Sequence, residues 1–183
     1  MRATASALPE VLVVEPVVHR DVRGLFAETY RVDGYRALGI LDTFVQDNHS
    51  QSARGTLRGL HLQVRHPQAK LIRVVVGRIF DVAVDLRRGS PRFRQWFGVE
   101  LSADNWKQCY IPAGFGHGFA VLSETALVEY KCSDYYDPHG EITVAWNDPA
   151  LAIEWPVAEP VLSSRDQGAP PLAGVIDRLP TFN

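Results

Sequence analysis

Short apolar runs rich in Val, Ile, Phe and Tyr recur along this chain about every 8–12 residues, punctuated by Gly, Pro, Asp and Asn. That rhythm limits the fold. Strands of this length cannot bury themselves singly and must pair into a sandwich or a closed barrel. The expected strands are Val11–Val14, Leu25–Tyr30, Lys70–Val76, Ile79–Leu86, Trp96–Leu101, Gln108–Ile111, Phe119–Leu122 and Leu127–Lys131, and only Asp33–Ile40 reads as a helix, a short one. No repeat, low-complexity tract or linker-like shift divides the 183 residues, so one all-β domain over 1–183 is expected.

The clearest strand is Phe80–Leu86. Phe80, Val82, Val84 and Leu86 fall on one face, with Asp81, Ala83 and Asp85 on the other. Two carboxylates on one face fit either a half-exposed strand or the wall of a polar cavity, and a barrel with a polar interior fits best. Gly77-Arg78 suits a tight hairpin, which would set Lys70, Arg73 and Asp81 in adjoining strands.

A net charge of −2 offers no basic field for nucleic acid and no polybasic patch for a membrane. Any bound anion must be held by a few local cations, which favours a small ligand. Cys109 and Cys132 are too few for a disulfide framework and read as small buried hydrophobes. With no apolar run of signal-peptide or membrane-span length, a cytoplasmic location is expected. Val175–Asn183 carries no recognisable site and is expected to be a packing tail.

Three regions concentrate polar side chains in apolar surroundings: Gln46–Ser50 running on to Gly55–Gln63, Ile111–Phe119, and Tyr130–Tyr136 followed far downstream by Ser164-Arg165-Asp166. Further marks are Asp21-Val22-Arg23-Gly24-Leu25-Phe26, Ala69-Lys70-Leu71, Phe80–Asp85 and Trp146-Asn147-Asp148-Pro149. In this order, over roughly Val11 to Leu172, the set resembles the cupin superfamily and, within it, the dTDP-4-dehydrorhamnose 3,5-epimerases. The resemblance implies a cupin jelly roll with short helical segments and a homodimer.

Many cupins hold a divalent ion through Gly-x5-His-x-His, a following Glu and a Pro-x-Gly-x-x-His segment. This chain keeps Gly55…His61 and Pro112…His117, but Gln63 replaces the second histidine and Lys70 stands where a glutamate would follow. Two imidazoles and a glutamine beside an ammonium make a poor site for a first-row ion. No metal and no cofactor are expected, and the chemistry must run on proton transfer.

The resemblance assigns the parts. A dTDP-linked 4-keto-6-deoxy sugar has acidic protons at C3 and C5, beside its carbonyl. His61 is the expected base, a residue type that titrates near neutrality. Asp166 is expected to fix its tautomer, Tyr130 to return a proton from the opposite face, and Lys70 to stabilise the enolate oxygen. His117 is expected to line the pocket, with Asp81 or Asp85 orienting His117, His61 or Lys70. Arg23 and Arg58 match phosphate contacts, Phe26, Glu28, Gln46 and Asn48 match the base contacts, and Tyr136 is expected to touch substrate. Three alternatives stay open: inversion at C3 or C5 alone, a ketoisomerase, and a non-catalytic nucleotide-sugar binder. Arg23, Phe26 and Glu28 could belong to a site completed across a dimer.

Overall fold

The computed structural model describes residues 1–182; Asn183, the last residue of the expected tail, lies outside them. The first half of the chain forms β1 (Arg2–Ala5), β2 (Leu12–Glu15), β3 (Val18–Asp21), β4 (Gly24–Ala27), α1 (Val32–Arg36), β5 (Gln46–Ala53), β6 (Leu57–Gln63) and β7 (Lys70–Val76). The second half adds β8 (Arg78–Asp85), β9 (Trp96–Ser102), β10 (Gln108–Ile111), β11 (Phe115–Val121), β12 (Thr125–Cys132), β13 (Glu141–Thr143) and α2 (Ser164–Gln167).

The strands build a six-stranded sheet in the order β1-β2-β10-β7-β12-β5 and a five-stranded sheet in the order β13-β6-β11-β8-β9. Every pairing between these strands is antiparallel. The two sheets face one another as the cupin jelly roll, and β3–β4 stands apart as a two-stranded hairpin bonded to neither. Among the described residues no helix is long and apolar enough to cross a membrane.

Three apolar layers hold the sheets. Ile72, Val74, Ile79, Ala83, Leu101, Phe115 and Val128 fill one end of the space between them. Val82, Val84 and Leu86 pack outward against Leu172 and against Val175 and Leu179, the last two in the expected packing tail. Tyr35, Ile40 and Leu71 close the outer side of the larger sheet. Both faces of β8 are therefore buried, and its polar face, Asp81 and Asp85, points into the barrel.

Gly77 does turn the chain, with φ +79°, and a side chain there would strike the Thr125 carbonyl oxygen at 2.1 Å. It does not make a hairpin. β7 pairs with β10 and β12, β8 pairs with β11 and β9, and the turn carries the chain from one sheet to the other. Arg73 accordingly faces away from Lys70 and pairs with Glu129.

Asp85 does not orient the site residues. Its carboxylate accepts from Arg87 Nη2 at 2.8 Å and Ser90 Oγ at 2.6 Å, while Arg87 also reaches Glu10 at 3.1 Å and stacks on Phe115. Burial alone would raise the Asp85 carboxyl, and the Arg87 and Ser90 hydrogen bonds with the Arg87 charge outweigh it, leaving it below 3.8. Stability from this lowered carboxyl is fully present above its unfolded value of 3.8 and is lost as pH falls through the folded value. Asp85→Asn, which breaks a buried pair, is expected to cost about 3–5 kcal/mol at neutral pH by chemical denaturation. The cost should shrink as pH falls below 3.8.

Candidate active site

β6 delivers His61 to the barrel interior, where α2 meets it from across the mouth. Ser163 caps α2: its Oγ accepts from the Asp166 N–H at 3.1 Å and donates to Asp166 Oδ2 at 2.9 Å. The cap turns Asp166 inward, and its Oδ1 lies 2.6 Å from His61 Nε2. The side chains are 3% and 25% exposed respectively, so the carboxylate is sealed and the imidazole keeps one open side. Burial would raise the Asp166 carboxyl, but the hydrogen bond and charge of His61, with Ser163 and the Gly59 backbone, bring it below its ordinary value. A carboxylate fixed on Nε2 keeps that nitrogen protonated and leaves Nδ1 as the proton acceptor.

His117 on β11 lies directly across from His61 in register. Its Nε2 donates to Asp81 Oδ1 at 2.7 Å, so β8 supplies a second His–Asp pair behind the first. Burial holds the His117 imidazole below its ordinary pKa against the pull of Asp81, with the Lys70 and His61 charges adding to the lowering, so it is neutral at pH 7. Lys70, at the start of β7, enters the same cavity from the opposite sheet. Burial lowers its ammonium pKa, and Cys132, Glu141 and Asp81 oppose that shift. A desolvated cation in such a site is an effective partner for a developing oxyanion.

Tyr130 on β12 completes the wall of a cavity of about 430 Å³ that also holds His61, Lys70, His117, Arg58 and Asp166. Burial raises its phenol above the usual tyrosine value, with smaller contributions from Cys132, Glu141 and Tyr136, so the group stays protonated and able to donate. Arg58 stands at the opening, steadied by Nε donation to Ser52 Oγ at 3.1 Å. Gln46 donates to Asn48 Oδ1 at 3.1 Å and accepts from the Tyr136 N–H at 3.0 Å, which ties the loop after β12 to the inner face of β5.

Two rim residues were not read from the sequence as site residues in their own right. Glu141 accepts from Tyr136 Oη at 2.8 Å and pairs with Arg165 at 2.6 Å, and its Oε1 is 4.0 Å from His61 Nδ1. It sits on a three-residue strand whose pattern is too brief to show, whereas Arg165 was visible only as the neighbour of Asp166.

Arg23, Phe26 and Glu28 do not reach this cavity. Arg23 pairs with Asp21 at 2.6 Å on the free hairpin, Glu28 sits 3.6 Å from Arg31, and Phe26 is 70% exposed.

The donors do not fit a cupin metal. His61 and His117 each keep one ring nitrogen uncommitted, so together they offer at most two imidazole donors, too few for a first-row ion without a third ligand. Gln63 is spent on the backbone, donating to the His66 and Tyr135 carbonyls at 2.8 and 3.2 Å and accepting from the Asp137 N–H at 2.6 Å. Among the described residues no cluster of three or more His, Cys, Asp or Glu side chains could hold an ion.

A jelly-roll barrel that gathers a His–Asp pair, a protonated phenol and a half-buried lysine around one cavity defines a cupin-type enzyme. A family profile described as dTDP-4-dehydrorhamnose 3,5-epimerase matches residues 5–174. The dTDP-4-dehydrorhamnose 3,5-epimerase of Pseudomonas aeruginosa is 54% identical over 169 residues, covering 91% of this chain and 93% of that protein. The crystal structure of the Legionella pneumophila dTDP-6-deoxy-D-glucose-3,5-epimerase in complex with dTDP-4-keto-L-rhamnose superposes with a TM-score of 0.96 at 46% identity, covering 100% of this chain and 98% of that one. A 3′-monoepimerase from Streptomyces bikiniensis in complex with dTDP-quinovose gives 0.91 at 37% identity, over 99% and 93%. The chain belongs to the dTDP-4-dehydrorhamnose 3,5-epimerase family.

Proposed function

We propose that this chain, acting as one domain, inverts C3 and C5 of dTDP-4-keto-6-deoxyglucose without a metal or cofactor. The observation that carries this reading is the His61 Nδ1 left open by the 2.6 Å Asp166 contact, facing a cavity whose wall also presents a protonated Tyr130. His61 takes a proton from the carbon beside the ketone, and Asp166 stabilises the imidazolium that forms. Charge moves to the ketone oxygen, where the Lys70 ammonium meets it, while His117, whose one N–H is spent on Asp81, lines the wall beside it. Tyr130 returns a proton to the opposite face, which is inversion.

Arg58 lines the cavity, and the hydrogen-bonded group of Gln46, Asn48 and Tyr136, which is not part of that lining, is assigned to the nucleotide and substrate contacts. The free β3–β4 hairpin carries the remaining contacts. In a homodimer it would lay Arg23, Phe26 and Glu28 against the partner's site, which accounts for an exposed phenylalanine on a hairpin that neither main sheet holds. A cytoplasmic location follows for an enzyme acting on nucleotide sugars.

Nuclear magnetic resonance of the product tests the reading. Inversion at both C3 and C5 is expected. Inversion at one carbon would assign the chain to the single-centre enzymes, and unchanged sugar would leave only a binding role.

A further inference from the structure

Inversion by two opposed groups leaves a proton imbalance. The proton leaving carbon ends on His61 and the proton delivered comes from Tyr130, so one inversion leaves an imidazolium facing a phenolate. A second inversion during the same visit, by the same pair, requires one proton to pass from His61 back to Tyr130. Asp166 offers no path: its carboxylate is sealed, with one oxygen on His61 Nε2 and the other on Ser163 Oγ.

The other ring nitrogen has an outlet. Glu141 Oε1 lies 4.0 Å from His61 Nδ1, a gap that one water or a shift of about 1 Å closes. The second Glu141 oxygen accepts from Tyr136 Oη at 2.8 Å, and Tyr136 is 51% exposed. Arg165, which donates through Nε to Thr143 Oγ1 at 2.9 Å, holds the same carboxylate from α2 at 2.6 Å. Glu141 therefore lies between the half-buried base and the exposed Tyr136, held by two donors, and its charge acts on both Lys70 and Tyr130.

We propose that Glu141 is the positioning residue that resets the acid–base pair between the two inversions. The deepened reading rests on the proposed two-centre epimerisation. His61 Nδ1–H passes its proton to Glu141, forming the neutral acid. The acid passes it to the Tyr130 phenolate through the Tyr136 hydroxyl or a water. The sum is imidazolium plus phenolate going to imidazole plus phenol, with the carboxylate restored and no electrons transferred. Speed of reset decides whether the sugar leaves after one inversion or two.

The ratio of singly to doubly inverted sugar released in the first turnovers reads this directly, by nuclear magnetic resonance of rapidly quenched reactions. In Glu141→Gln the ratio is expected to rise by about fivefold or more, because an amide cannot carry the proton. Glu141→Asp, which keeps a carboxylate on a shorter arm, should fall between Gln and wild type, and it serves alone if the Gln variant does not fold. An unchanged ratio in both Glu141 variants, whatever their kcat and KM, overturns the proposal. Wild-type enzyme that inverts only one carbon, or none, would instead sink the two-centre reading on which it rests.

Discussion

Replacing His61 with alanine is expected to lower kcat by about 10³-fold or more while dTDP affinity stays within about threefold. The size follows from the proposed mechanism, in which His61 is the base: its ring keeps one side open, is oriented by a sealed carboxylate, and the proposed phosphate contacts are made by other residues. The alanine variant also leaves Asp166 with only Ser163 and the Gly59 backbone, so circular dichroism and a thermal melt should accompany the kinetics. His61→Gln puts an amide within reach of Asp166 and isolates loss of the base from loss of its partner. Both variants should be inactive by the same margin. Substantial turnover in either would move the base to another residue, with His117 the first to test.

Tyr130→Phe should separate two events that wild type couples. With the acid gone, inversion is expected to fall by about 10²–10⁴-fold. His61 can still remove a proton and return a solvent-derived one to the same face. In deuterium oxide the variant should therefore label the sugar while retaining its configuration, and the ratio of exchange to inversion should climb steeply. Exchange and inversion falling together would mean that Tyr130 is needed to form the enolate and is not merely the second-face acid. Tyr130 is only partly buried, so removal of its one hydroxyl makes a folding defect a minor concern.

The readable parts of the fold are those whose burial shows as an apolar pattern. β7 and β10 coincide with the expected Lys70–Val76 and Gln108–Ile111, because their inward residues meet the core between the sheets. β5, Gln46–Ala53, has no such pattern: its inner face lines the ligand side and its outer face is exposed, so eight residues form a strand with Ala53 as their lone apolar residue. Gly77 does not declare its kind of turn, because a glycine with positive φ serves a hairpin and a sheet-to-sheet crossing equally well. Only the pairing partners, which depend on distant residues, tell them apart. β13 is three residues long and left Glu141 without any signal.

Within the site, His61, Lys70, His117, Tyr130 and Asp166 converge on one cavity, as the ordered motifs implied. Asp166 shows what the motifs supplied, since 105 residues separate it from His61 and local chemistry reads Ser163–Gly168 as a turn. Asp81 and Asp85 look equivalent on one strand face, yet Asp81 holds His117 and Asp85 holds Arg87. The difference lies in what each end of the barrel brings near them, and that is not encoded in the strand. Arg23, Phe26 and Glu28 sit apart from the cavity in a single chain.

The most direct measurement is proton exchange from the substrate. Purified protein incubated with dTDP-4-keto-6-deoxyglucose in deuterium oxide, followed by nuclear magnetic resonance, should place deuterium at both C3 and C5 and nowhere else on the sugar, with chelator present throughout. Absence of label at both carbons would contradict proton abstraction by His61.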